Sequence, residues 1–161
     1  MNRKIQYLNE FIEQLIKWYE EEIGETKKND MSILKILKLL FLWAATNEEA
    51  LNIFNNFEAR PLGPVEVDIY NAIKEEHKDL LFKITHTGLI RKGEKSLKWT
   101  EDPIIVDMIK VLKSKNPCLI RNSASQLVDI THKWDCRIIA SLFSKKKITE
   151  SLILHSKPHY F

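Results

Sequence analysis

The sequence predicts a mainly α protein, one compact domain built as a bundle of about six helices. Three observations carry this expectation. Apolar residues recur at spacings of three and four along most of the chain, as they do in helices that bury one stripe. Glycine and proline together number nine and stand at the ends of those stretches, which argues against a turn-dense all-β fold and against disorder. The chain has 161 residues, 44% of them hydrophobic. That length lets it bury about 70% of the surface its unfolded form exposes, with no need of a metal or disulfide staple.

Each element follows in order. Ile5, Leu8, Phe11, Ile12, Leu15, Ile16, Tyr19 and Ile23 form one stripe over residues 4–23, and Gly24 ends that helix cheaply in the left-handed region. A polar connector follows from Glu25, and Asp30 or Ser32 caps the next helix. This helix, Ile33 to about Ala45, is apolar on most faces and broken only by Lys35 and Lys38, the pattern of a buried centre. Phe41 and Trp43 are expected in the core. Asn47-Glu48-Glu49 caps a short helix through Phe54. Arg60-Pro61-Leu62-Gly63-Pro64 reads as a fixed loop, because each proline locks its own backbone and restricts the residue before it. Pro64 suits the first position of a further helix, with Val65, Ile69, Tyr70 and Ile73 inside and Glu66, Asp68, Lys74, Glu75 and Glu76 facing water.

Residues 80–98 read either as a small β-hairpin, Leu81–Ile84 with Leu89–Arg91, or as an irregular loop. Gly93-Glu94-Lys95-Ser96 is a turn. Asp102 caps and Pro103 opens a helix carrying Ile105, Val106, Ile109 and Leu112, which ends before Asn116-Pro117. Ser123 caps Ala124 to Thr131, a last helix runs from about Asp135 to Phe143, and a basic tail closes the chain.

The chemistry-bearing residues exclude more than they assign. Four glycines cannot build a dinucleotide or P-loop fingerprint, and there is no H-E-x-x-H. Asp129, His132 and Asp135 would share a metal ion only if their helix continued, whereas Trp134-Asp135 belongs to a turn or a new helix. Pro158 breaks any alignment of His155 with His159, and Ser123 with His132 lacks an orienting third group. No catalytic residue, metal or cofactor is therefore expected, and the protein is read as a non-enzyme. Cys118 and Cys136 are too few for a disulfide framework and read as reduced, partly buried residues. The N-terminus lacks the apolar run of a signal peptide. The longest apolar run, Leu39 to Ala45, is far short of the ~20 residues that span a bilayer. A cytoplasmic protein without membrane contact is expected.

Charge is asymmetric. Residues 1–82 hold 10 Lys/Arg against 15 Asp/Glu, and residues 83–161 hold 15 against 7. The balance fits two differently charged solvated faces, or an acidic or nucleic-acid partner of the second half. Residues 123–147 could form a loose helix-turn-helix with Lys133, Arg137, Lys145, Lys146 and Lys147 nearby, which makes a DNA-binding regulator the alternative reading. Its second helix, however, offers mostly Cys136, Ile138, Ile139, Ala140 and Leu142 where base reading needs polar side chains.

Two short signatures, about 65 residues apart, add a further reading. The first comprises Phe57, Arg60, Gly63-Pro64-Val65 and Tyr70. The second comprises Ser123-Ala124, Leu127, Thr131-His132 and Trp134. Behind Lys38-Leu39-Leu40, and ahead of a basic, aromatic-ended tail, they resemble the Panacea domain of bacterial and phage-associated antitoxins. The resemblance covers about residue 31 to the C-terminus and leaves residues 1–24 as a family-variable helix. The chain departs from the pattern at Leu62, where an aromatic residue is common, and in the closeness of Trp134 to His132.

The resemblance implies a single helical domain that neutralises a toxin encoded beside it. It would do so by direct binding or as an adaptor delivering the toxin to a protease, with a chaperone as a further possible partner. On that reading Phe57, Arg60, Gly63, Pro64, Val65, Tyr70, Thr131, His132 and Trp134 form the partner-binding set. The Gly63-Pro64 loop and the Thr131-His132 corner would meet as a rigid platform. His132 then either hydrogen-bonds a backbone carbonyl to fix that corner or touches the partner.

Overall fold

The computed structural model describes residues 3–25, 28–93, 102–141 and 146–161. The fold is mainly α, and it is organised around one buried helix. Helix α1 spans Arg3–Glu22, and α2 spans Ile33–Ala44. Ile36, Leu39, Leu40, Phe41, Leu42 and Trp43 of α2 are wholly buried, and so are Lys35 and Lys38. Around α2 pack α3 (Glu48–Ile53), α4 (Val67–Lys74), α5 (Pro103–Lys115) and α6 (Ala124–His132). Helix α1 closes the other side of the core against α4, α5 and a 3-10 turn at Leu119–Arg121. Leu8, Phe11, Ile12 and Leu15 of α1 have no exposed surface, so the first helix is an integral wall of the core.

Local chemistry sets the helix ends as expected. Ser32 Oγ accepts from Lys35 N at 3.2 Å, Asn47 Oδ1 from Glu49 N at 2.6 Å, and Asp102 Oδ1 from Ile104 N at 3.0 Å. Ser123 and Gln126 make a reciprocal capping box. Beyond α1 the chain turns through Gly24 at φ +134°.

The helices do not make a simple bundle, because short strands join them. Strand β1 (Phe57–Arg60) pairs antiparallel with β2 (Gly63–Glu66), Phe57 opposite Glu66 and Arg60 opposite Gly63. With β5 (Lys147–Ile148) on the other edge, the order is β2-β1-β5. The region read as a loop leading into a helix at Pro64 is thus a hairpin, and α4 begins only at Val67. The physical reason is twofold. Pro64 lies on an edge strand, where its missing N–H is tolerated. Glu66 then serves as the helix cap, its Oε1 accepting from Asp68 N at 2.8 Å. Glu66 does not face water as expected: it is wholly buried and sits 2.7 Å from Lys4 Nζ. Burial raises its carboxyl pKa while Lys4 opposes that shift.

Strands β3 (Phe82–Ile84) and β4 (Leu89–Arg91) form a separate hairpin, which decides between the two readings of that stretch. Residues 94–96 of the expected turn lie outside the described residues. Helix α7 covers Asp135–Ser141, and the tail adds α8 (Glu150–His155), which the sequence reading did not include. The expected end of α7 at Phe143 lies outside the described residues. Both cysteines are free, Cys136 buried and Cys118 exposed. No described helix is long and apolar enough to cross a membrane.

Phe41 links α2 to both signatures. Its ring meets Phe57 edge-on at 5.5 Å and Trp134 edge-on at 5.1 Å. Trp134 in turn meets Tyr160 at 5.9 Å. Contacts of this geometry add about 0.5–1.5 kcal/mol each beyond the area they bury.

Candidate functional site

The two sequence signatures meet at the β1–β2 turn. Gly63 makes the turn possible at φ +107°, and it also permits a close approach. A Cβ there would lie 2.7 Å from Thr131 Oγ1 and 3.0 Å from Lys38 Cε. Only glycine lets the hairpin seat against α2 and α6 at this distance. Thr131 is held in place by donating its hydroxyl to Val128 O at 3.1 Å.

Three side chains then hold the turn by its carbonyls. Lys38 Nζ donates to Pro64 O at 2.7 Å from inside the core. The His132 ring meets Pro61 O at 3.0 Å through Nε2; a carbonyl only accepts, so Nε2 carries the proton. Arg137, from the first turns of α7, donates through Nη2 to Arg60 O at 3.3 Å, with Pro61 O at 3.5 Å. The expected imidazole–carbonyl contact is therefore present, and it joins the Thr131-His132 corner directly to the loop.

The nine candidate residues fall into two groups. Phe57, Thr131 and Trp134 are buried to within 1% of their surface. Gly63, Pro64 and Val65 are buried as well. These six shape and anchor the platform, and their side chains present no face to a partner. Arg60, Tyr70 and His132 are half-buried at its edge. Arg60 pairs with Glu58 at 3.1 Å and lies 5.4 Å over the Tyr70 ring. The turn's apex is Leu62, 55% exposed.

Three contributors were outside the candidate set. Leu62 stood out in the sequence only as a departure from a pattern. Lys38 and Arg137 each interrupt an otherwise apolar helix, and that interruption was the available signal. Both now carry buried polar atoms at the turn, and Arg137 Nε is buried without an acceptor among the described residues.

The site brings two guanidinium groups, Arg60 and Arg137, beside Lys38 and His132. Burial, with the charges of Arg137 and Arg60 adding to it, pulls the Lys38 pKa down to about 7. Burial and then Arg137 hold His132 below the ordinary imidazole range, while its bond to Pro61 O works the other way. Among the described acids, Glu58 is paired with Arg60 and Asp129 favours the protonated His132. Helix α6 ends at His132 and Asp135 opens α7, so the Asp129/His132/Asp135 spacing is not carried on one helix. Among the described residues no group of three His, Cys, Asp or Glu could hold a metal ion. The arrangement is a turn held at three carbonyls, with an exposed apolar apex and two guanidinium groups beside it.

Compared against family models, curated proteins and solved structures, the chain matches none.

Proposed function

We propose that the protein is a non-enzymatic binding module of the antitoxin kind, neutralising a toxin encoded beside it through the β1–β2 turn and its α6–α7 surround. One observation carries this reading. Two signatures far apart in sequence are locked together at an exposed turn by the His132–Pro61 bond at 3.0 Å. A turn pinned at three carbonyls and backed by a glycine contact is preorganised, and preorganisation lowers the entropy lost on docking. Leu62, at the apex of that support, is 55% exposed.

A DNA-binding role for α6–α7 draws less support from the same residues. Arg137 is engaged with loop carbonyls, and α7 exposes Ile138 where a reading helix needs polar side chains.

The test is co-expression with the product of each adjacent reading frame, scoring growth and co-purification. One neighbour is expected to be toxic alone, and harmless and co-eluting with this protein. Leu62→Asp is expected to abolish rescue and co-elution while leaving the thermal midpoint within about 2 °C, as for surface substitutions generally. Full rescue by Leu62→Asp would exclude this turn as the interface.

A further inference from the structure

Resting on the binding-module reading, we infer that the partner presents an acidic protein segment: carboxylates that meet Arg60 and Arg137 around an apolar seat for Leu62. The geometry points there in three ways.

First, basic side chains converge on one turn from four elements, and two of them are guanidinium groups. Arg60 comes from β1, Lys38 from α2, His132 from α6 and Arg137 from α7, and the last three each contact a carbonyl of residues 60–64. Second, their charge is poorly balanced locally. Glu58 meets Arg60, and Asp129 is the acid close enough to favour protonation of His132. Lys38 has no carboxylate among the groups that shift it, and the two arginines work against its charge. The guanidinium Nε of Arg137 is buried beside the turn without an acceptor among the described residues, which leaves its charge partly uncompensated. An approaching carboxylate compensates that charge, and in a partly desolvated site such pairing is stronger than on an open surface. Third, the apex is apolar. Leu62 is 55% exposed and lies two residues from Arg60 in the same turn, and an apolar centre with a polar rim is the usual anatomy of a protein interface. A phosphodiester backbone provides the negative charge but no apolar seat, so the combination favours a polypeptide over a nucleic acid.

The experiment uses the whole chain and three labelled probes: a short peptide alternating Glu and Leu, its Gln/Leu twin, and duplex DNA, with binding read by fluorescence anisotropy. The Glu/Leu peptide is expected to bind about tenfold or more tightly than the Gln/Leu twin, a difference of about 1.4 kcal/mol. Arg60→Gln is expected to weaken that binding several-fold. Glu58→Gln, which frees Arg60, is expected to strengthen it, a gain that loss of folding cannot mimic. Leu62→Asp is expected to remove binding. Equal affinity for the Gln/Leu twin, or Glu58→Gln without gain, overturns the acidic-partner inference. Tighter binding of duplex DNA, weakened by the same substitutions, also overturns it in favour of nucleic acid. In the co-expression assay, loss of rescue with Leu62→Asp but not with Arg60→Gln would keep the platform and reject the acidic partner; unchanged rescue with Leu62→Asp would reject the platform itself.

Discussion

Lys38 shows at the scale of one residue how the site and the stability of the fold are linked. Its ammonium is wholly buried and has one carbonyl partner, Pro64 O. The bond answers an oxygen that would otherwise be buried unpaired, an omission worth about 1–3 kcal/mol. The charge itself is disfavoured by burial and by Arg137 and Arg60, which brings the folded-state pKa from 10.5 down to about 7. The sign follows from proton counting. Between pH 7 and 10.5 the unfolded chain holds a proton on Lys38 that the folded chain has released, so unfolding takes up protons. Stability contributed by this group therefore rises with pH across that window, by up to ~1.4 kcal/mol per unit. Below pH 7 the burial penalty is present in full. Lys38→Met removes both the penalty and the titration. Urea denaturation of both proteins at several pH values is expected to show wild type gaining on the variant from pH 7 upward. Parallel stability–pH curves would mean that Lys38 keeps an ordinary pKa.

At the scale of elements, what matters is the seating of the β1–β2 hairpin on α2 and α6. Gly63→Ala adds a methyl 2.7 Å from Thr131 Oγ1 at φ +107°. The expected loss is roughly 2–5 kcal/mol, combining backbone strain with overpacking. Gly24→Ala is the matched control. Its φ is also positive, at +134°, but nothing lies within 4 Å of the new methyl, so only the backbone share of about 1–3 kcal/mol should appear. Thr131→Ala in the Gly63→Ala background is expected to recover part of the difference, read as a double-mutant cycle by chemical denaturation. Equal losses at Gly63 and Gly24 would mean the hairpin is not seated as described.

This hairpin also marks how far the sequence could be read. Ser32, Asn47, Asp102 and Ser123 were legible as caps because a cap is settled within three residues. The amphipathic stripe of α1 was legible for the same local reason. Pro64 misled because its local preference for a helix start was overruled from a distance. Phe57 is paired by Ile148, the Pro64 carbonyl is taken by Lys38, and Glu66 is buried against Lys4. None of these partners is near in sequence. β1 alternates, with Phe57 and Ala59 buried and Glu58 and Arg60 half-buried, but four residues are too few to signal a strand beside two prolines, and β2 is buried throughout and has no period to read. The convergence of the two signatures rested on resemblance alone until His132 and Pro61 were placed in contact.

At the scale of the whole molecule, the described buried residues form one core cluster that includes Ile5 in α1 and Tyr160 in the tail. Asn9 ties α1 to the segment before β3, donating to Asp79 O at 2.8 Å and accepting from Leu81 N at 2.9 Å. The last residues close the other end. Asn116 Nδ2 donates to Tyr160 O at 2.7 Å, and Trp134 Nε1 donates to His159 O at 2.9 Å. A domain connected in this way should unfold in one transition, and damage at the tail should be felt at the β1–β2 turn. Deleting residues 158–161 takes the acceptor from three donors, Asn116 Nδ2, Trp134 Nε1 and the exposed Lys133 Nζ, and uncovers the Trp134 ring against which Tyr160 packs. The expected loss is upward of ~3 kcal/mol, with red-shifted tryptophan emission. Trp134 stands directly before α7, which carries Arg137 to the loop carbonyls. The truncated protein should therefore bind its partner more weakly even though every side chain at the turn is intact. Wild-type stability and emission after truncation would show that the tail is dispensable and that the turn is held by α2 and α6 alone.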